Sequence, residues 1–282
     1  MIEDNKTNFL YLADSLKNNK LYPTFFTEFE KLVKQLNIKY DILPGTKDIW
    51  AVDYMPIQVQ ENSFVQFSYK PGYLKTKAEL EAISDVDAIC KEIKITPIKS
   101  TILLDGGNII KSNNKIIMTE RVFKENPTFE KKELIKELEQ LLQTDKLVFI
   151  PEQPYDFTGH ADGMVRFLND DTVIINDYKD ESEAFKKRFY RSLKEAGLNY
   201  VEIPYNLRQN KMNSQANGCY INFLQMGNVI IVPNFELDED EIVEKQFQEL
   251  FPGQIIATIK CNEIANQGGV LNCISWNILI KK

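Results

Sequence analysis

The strongest constraint on how this chain can fold is a pattern that recurs five times along its 282 residues. Each copy has a polar or glycine-rich opening, an apolar strand, a short turn, a second apolar strand, an amphipathic helix and a closing strand. The clearest copy opens at Gly159. Residues 160–168 read as a strand, Asn169-Asp170-Asp171 as a turn, and 172–176 as a second strand rich in β-branched residues. Residues 181–196 place Phe185, Phe189 and Leu193 at helical spacing, Gly197 suits the helix C-terminus, and 200–204 close the unit.

Three further copies run the same way. The first opens at 49–53, continues through 57–60, turns at 61–63, returns through 64–69, and has a helix near 78–90 and a strand at 93–98. The second opens over 103–110, turns at Ser112-Asn113-Asn114 and returns through 115–118. Its helix over 129–143 carries Leu134, Leu138, Leu141 and Leu142 on one side, and 147–151 close it. The third opens at 217–223, turns at Met226-Gly227-Asn228 and returns through 229–232. Its helix over 238–250 begins with acidic residues that suit a helix N-terminus, and 255–259 close it. The fifth copy is split. Residues 268–276 begin it at the C-terminus, and the strand 9–13, helix 25–36 and strand 40–43 complete it from the N-terminus. Pairing the terminal strands closes a ring and leaves no open edge there. No linker, low-complexity tract or break in composition interrupts the pattern, so residues 1–282 are expected to form a single α/β domain of five blades.

The bulk chemistry narrows the function. A net charge of −7 argues against a nucleic-acid footprint, which needs a basic face, and is compatible with a cationic ligand. No apolar stretch approaches membrane-spanning length and the start lacks a secretory pattern, so a cytoplasmic protein without a membrane partner is expected. The four cysteines, Cys90, Cys219, Cys261 and Cys273, have neither zinc-site nor disulfide-framework spacing. With one histidine in the chain, a His-rich metal site is not expected either.

That histidine, His160, stands two residues before Asp162. On a strand the two would share a face. When the five units are aligned by their first strand, the unusual polar residues fall together: Asp53, Asp105 with Asn108, His160 with Asp162, Asn222, and Cys273. Ringed about one axis, they would converge on one cavity. A cysteine, a histidine and several carboxylates there describe a nucleophilic site. The carboxylates suit a planar guanidinium, whose fork of donors they match, and a thiolate could attack its electrophilic carbon.

In this order the motifs become specific. Asp105-Gly106-Gly107-Asn108, Gly159-His160-Ala161-Asp162 with Arg166-Phe167, Tyr220-Ile221-Asn222-Phe223, and Gly268-Gly269 followed by Cys273 resemble the agmatine deiminase and bacterial-type peptidylarginine deiminase family. Trp50-Ala51-Val52-Asp53-Tyr54-Met55-Pro56 resembles that family's W-x-R-D-x-x-P segment, and Thr119-Glu120 also fits. The resemblance covers nearly everything from Trp50 to Trp276 and implies a pentein, a five-bladed α/β propeller with pseudo-fivefold symmetry. It also implies a cofactor-free hydrolase that converts a guanidino group to a ureido group and releases ammonia. In that scheme Cys273 is the nucleophile, His160 the acid and then the base, and Asp53 and Asp162 hold the guanidinium. Asp105, Asn108 and Asn222 shape the site or position substrate, and Trp50 walls the pocket.

Val52 stands where the family segment usually has arginine, and Asn272 where agmatine deiminases commonly have histidine. Agmatine, arginine and a peptidyl arginine therefore all stay open as the small cationic substrate or side chain. A guanidinium-binding protein or an amidinotransferase on the same scaffold is the alternative, and self-association is left open. Arg166 reads as a structural ion-pair partner, and the loops 70–77 and 206–216 as candidate lids.

Overall fold

A computed structural model describes residues 1–205 and 215–281. The first two strands, β1 (Phe9–Ala13) and β2 (Tyr40–Leu43), lie side by side in parallel. Next come β3 (Ile57–Gln60), β4 (Ser63–Ser68) and β5 (Ile98–Leu103) in one sheet, and β6 (Ile110–Lys111), β7 (Ile116–Thr119) and β8 (Leu147–Ile150) in another. A further sheet holds β9 (Val165–Asn169), β10 (Thr172–Asn176) and β11 (Asn199–Ile203), and the one after it β12 (Leu224–Met226), β13 (Val229–Asn234) and β14 (Ile255–Lys260). The last strand, β15 (Ser275–Ile278), returns to pair antiparallel with β1, Tyr11 opposite Trp276. Each of the five sheets has the same make-up: an antiparallel pair, then a third strand parallel to the middle one.

The reason lies in side-chain periodicity. Three of the middle strands are covered on both faces and read as apolar runs: all of β7 is buried, as are Val173 to Ile175 of β10 and Val229 to Val232 of β13. The helices that carry the chain over to the third strands each bury one stripe. Phe185, Phe189 and Leu193 do so in the helix Glu183–Glu195, and Leu134, Leu138 and Leu142 in Lys131–Leu142. Ser182 starts the former by accepting from Phe185 N, and Gln143 ends the latter in the left-handed conformation at φ 53°.

The openings differ from the strands expected of them. Residues 51–54 form a short helix, Gly106–Asn108 and Ala161–Gly163 are single 3₁₀ turns, and 217–223 are turns before β12. His160 and Asp162 therefore come together on a turn, not by strand alternation. The five openings crowd about the axis, and side chains satisfy their backbone instead of a neighbouring strand. Asp53 Oδ1 takes Gly107 N at 2.9 Å, Asn108 Oδ1 takes Thr119 N at 2.8 Å, and Asn222 Oδ1 takes Asn272 N at 3.0 Å. Elsewhere, the helix expected over 78–90 is two helices, Lys77–Glu81 and Val86–Glu92, because Asp85 caps a new start by accepting from Ala88 N. The strand expected at 93–98 begins only at Ile98, since Lys94 turns the chain at φ 61°.

Candidate active site

The openings surround a cavity of about 350 Å³. Six of the eight side chains singled out from sequence line it: Trp50, Asp53, His160, Asp162, Asn222 and Cys273. Asp105 and Asn108 do not. Asp105 stands behind His160 and takes its Nε2 at 2.9 Å, while Asn108 spends its Oδ1 on Thr119 N.

Gly107 shows how tightly the reactive groups converge. A Cβ there would lie 2.6 Å from Asp53 Oδ1, 2.8 Å from His160 Nδ1 and 3.3 Å from Asp162 Oδ2. Only a bare Cα lets all three approach, and this explains the glycine in chemical terms. The neighbouring Gly106 is held to the same size by Val52 O, which a Cβ would meet at 1.9 Å.

Asp162 is the hub. Its Oδ2 accepts from Asn222 Nδ2 at 2.9 Å and from Asn272 Nδ2 at 2.7 Å, and Cys273 Sγ lies 3.5 Å from the same oxygen. Asn222 Oδ1 in turn takes the backbone N–H groups of Asn272 and Cys273, at 3.0 and 3.3 Å, which fixes the cysteine's backbone relative to Asp162. Around His160, Asp53 Oδ1 lies 3.5 Å from Nδ1 and Tyr73 gives its hydroxyl to Asp105 Oδ2 at 3.1 Å.

The charges are strongly coupled. Burial alone would push the His160 pKa down, but Asp53, the hydrogen-bonded Asp105 and Asp162 together outweigh it and raise the pKa to about 10. At neutral pH the imidazole is therefore a cation among carboxylates. Burial, then the negative charges of Asp105 and Asp162, hold the Asp53 carboxyl well above the usual carboxylate range, with His160 and Gly107 N–H opposing. Burial followed by the charges of Asp162 and Asp53 pushes the Cys273 thiol well above its ordinary value. The resting site thus holds a neutral thiol beside an acid-ready imidazolium, in a pocket that an added cation would relieve.

The fold also brings in residues that carried no sequence signal. Asp48, Glu79 and Asp156 add carboxylates to the lining, and burial raises Asp48 to about 7. Tyr69, Tyr73, Phe157 and Tyr205 add aromatic walls, with Tyr73 edge-on to Phe157 at 5.3 Å and to His160 at 6.2 Å. Apart from Glu79, which lies in the helix Lys77–Glu81, these residues sit in loops, where only the doubled tyrosine, Tyr69 and Tyr73, could have hinted at a wall. The loop 70–77 does reach the cavity, through Tyr73 and Leu74. Of the other candidate lid, residues 206–214 lie outside the described residues, and Gln215 and Ala216 line the cavity. Among the described lining residues there is no lysine or arginine, and among the described residues no group of three or more His, Cys, Asp or Glu is arranged to hold a metal. No described helix is long and apolar enough to cross a membrane.

Five three-stranded blades about an axial cavity define a pentein. The sequence model of the Porphyromonas-type peptidyl-arginine deiminases matches residues 7–278, and the chain belongs to that family. A Streptococcus mutans protein assigned by name to the agmatine deiminases is 24% identical over 208 residues, 61% of this chain and 56% of the relative. In such matches the chain spans little more than half the length of its curated relatives. A substrate-bound C. jejuni agmatine deiminase with a C315S substitution superposes with a TM-score of 0.79 at 19% identity, covering 98% of this chain and 95% of that one. The Enterococcus faecalis agmatine deiminase gives 0.77 at 17% identity, over 98% and 94%.

Proposed function

We propose that residues 1–282 act as one cysteine-dependent deiminase domain that hydrolyses a guanidino group to a ureido group and ammonia. The supporting observation is the crowding of Asp53, His160 and Asp162 about Gly107, with Cys273 Sγ 3.5 Å from Asp162. A guanidinium entering this pocket meets carboxylates that match its donors and neutralises the charge that keeps the thiol protonated. The thiol's proton passes to solvent as the guanidinium binds, and the thiolate adds to the guanidinium carbon. The carbon–nitrogen bond to the departing group breaks as imidazolium His160 protonates it, and ammonia leaves behind an S-alkylthiouronium on Cys273. His160, now neutral, takes a proton from water as that water adds to the same carbon. Collapse breaks the carbon–sulfur bond and frees the thiolate, and the hydroxyl proton passes to the released ammonia or solvent as the ureido carbonyl forms. Asp105 keeps the imidazole oriented throughout, and Asp53 and Asp162 hold the cationic carbon in place.

The described lining has several carboxylates and no lysine or arginine, and its one cation, His160, is already held between Asp53 and Asp105; this favours a guanidino compound whose far end is cationic or neutral over free arginine. The relatives named as agmatine deiminases make agmatine the first compound to try. Ammonia and ureido-product release across agmatine, arginine and arginine peptides tests the reading. Turnover of at least one guanidine, abolished by Cys273→Ser, is expected; binding without turnover of any of them refutes it.

A further inference from the structure

Asn272 does not line the cavity, yet it touches Asp162 directly, and its far end is held by a guanidinium. Arg166 Nη1 donates to Asn272 Oδ1 at 2.9 Å and to Phe223 O at 3.0 Å; its Nη2 donates to Asp4 Oδ2 at 2.7 Å. The guanidinium also lies over the Phe223 ring, 4.6 Å from its centre, and Lys111 stands 3.3 Å from Asp4 on the other side. An arginine can only donate. The amide of Asn272 must therefore turn its oxygen to Arg166, and its NH₂ can face only Asp162.

The second amide on Asp162 is fixed in the same sense. Asn222 Oδ1 accepts two backbone N–H groups, so its NH₂ also faces Asp162. Two donors whose direction is set elsewhere thus converge on Asp162 Oδ2. That oxygen can only accept, and the carboxylate is locked in rotation beside Cys273 Sγ.

From this we infer that Asn272 and Arg166 are a positioning pair for the proposed reaction: Arg166 sets the polarity of the Asn272 amide, which holds Asp162 as an oriented acceptor against Cys273 and the incoming guanidinium. The inference rests on the deiminase reading for its catalytic consequence, but its effect on the thiol can be read without turnover.

Asn272→Asp is the test, because the side chain keeps its shape and can still accept from Arg166 while the donor to Asp162 is replaced by a second carboxylate. Two quantities are measured: steady-state kinetics on the guanidine that turns over fastest, and the pH dependence of Cys273 alkylation by iodoacetamide, located by peptide mass spectrometry. Loss of a charge-assisted hydrogen bond and the added anion should lower kcat about tenfold or more and leave KM within about threefold. The alkylation midpoint should move to higher pH by about half a unit or more, with the melting temperature within a few degrees of wild type. A residue that only fills space would change the melting temperature and leave the alkylation midpoint where it was. Unchanged kcat with an unchanged midpoint overturns the inference. If N272D does not fold, N272S replaces it: the hydroxyl is too short to bridge Arg166 and Asp162, so a comparable loss of kcat is expected and wild-type turnover overturns the inference. Should the wild-type protein turn over no guanidine, the deiminase reading fails, while a shifted alkylation midpoint in N272D still upholds the arrangement.

Discussion

A single methyl group at position 107 should disable the site while sparing the fold. In Gly107→Ala the new carbon would lie 2.6 Å from Asp53 Oδ1 and 2.8 Å from His160 Nδ1, where ordinary contact begins at 3.4 Å. The carboxylate must therefore retreat by about 0.8 Å and the imidazole by about 0.6 Å, or the turn must move by the same amount. Neither side chain has slack. Asp53 holds Gly107 N at 2.9 Å, and His160 is tied through Nε2 to Asp105 at 2.9 Å. A misplacement approaching 1 Å at reacting groups costs roughly 10²-fold in rate, so kcat should fall about 100-fold. The backbone itself accepts alanine, since Gly107 is not in the left-handed region, and the loss of stability should stay within the ~1–3 kcal/mol of a modest overpacking. Ammonia release gives kcat, and denaturant unfolding gives stability. A variant that folds normally and retains kcat within about fivefold of wild type would show that Asp53 and His160 are not the reacting groups.

Other consequences follow from the same contacts. Tyr73→Phe removes the hydroxyl that Asp105 accepts, and should lower kcat about three- to tenfold with little change in stability; steady-state kinetics check this. Because His160 is the only histidine, its imidazole resonances can be assigned without ambiguity, and NMR titration of the free protein should place its pKa near 10, against an ordinary value of about 6.5. A midpoint near 6.5 would remove the imidazolium from the resting site. Asp48, raised to about 7 from 3.8, favours the protonated form in the folded state. Its contribution to stability is full below about pH 4 and declines as the pH rises through 7. Asp48→Asn should therefore stabilise the protein at pH 8, on the order of 4 kcal/mol, and have little effect at pH 4, as urea unfolding at the two pH values can show.

The five-unit pattern was legible because buried middle strands and striped helices leave periodic traces: residues 9–13, 40–43, 57–60 and 172–176 run over their strands residue for residue. The openings were not legible. Trp50-Ala51-Val52-Asp53 and Gly159-His160-Ala161-Asp162 read as strand entries, but no sheet partner reaches them at the axis, and side-chain acceptors, Asp48 Oδ1 for Trp50 N and Thr158 Oγ1 for His160 N, accompany the turns they form instead. The reactive side chains stood out because a lone histidine, a late cysteine and repeated Asp-Gly or Asn-rich openings are conspicuous by type and place. Asn108 shared that appearance, but its oxygen is committed to Thr119 N and it stands away from the cavity. Asp48, Asp156 and Tyr73 were invisible for the opposite reason: they lie in irregular loops, and only the ring's closure brings those loops over the cavity. The pairing of Arg166 with Asn272 spans 106 positions, and nothing local in either stretch announces it.

The central claim is that Cys273 bonds to the guanidino carbon. Acid quenching during turnover of the best guanidine substrate, followed by proteolysis and mass spectrometry, tests it directly. An amidino adduct of the substrate less ammonia should appear on the peptide that contains Cys273, and on none containing Cys90, Cys219 or Cys261, all three buried. It should vanish in Cys273→Ser. Sustained turnover by C273S, or an adduct confined to another cysteine, would contradict the account.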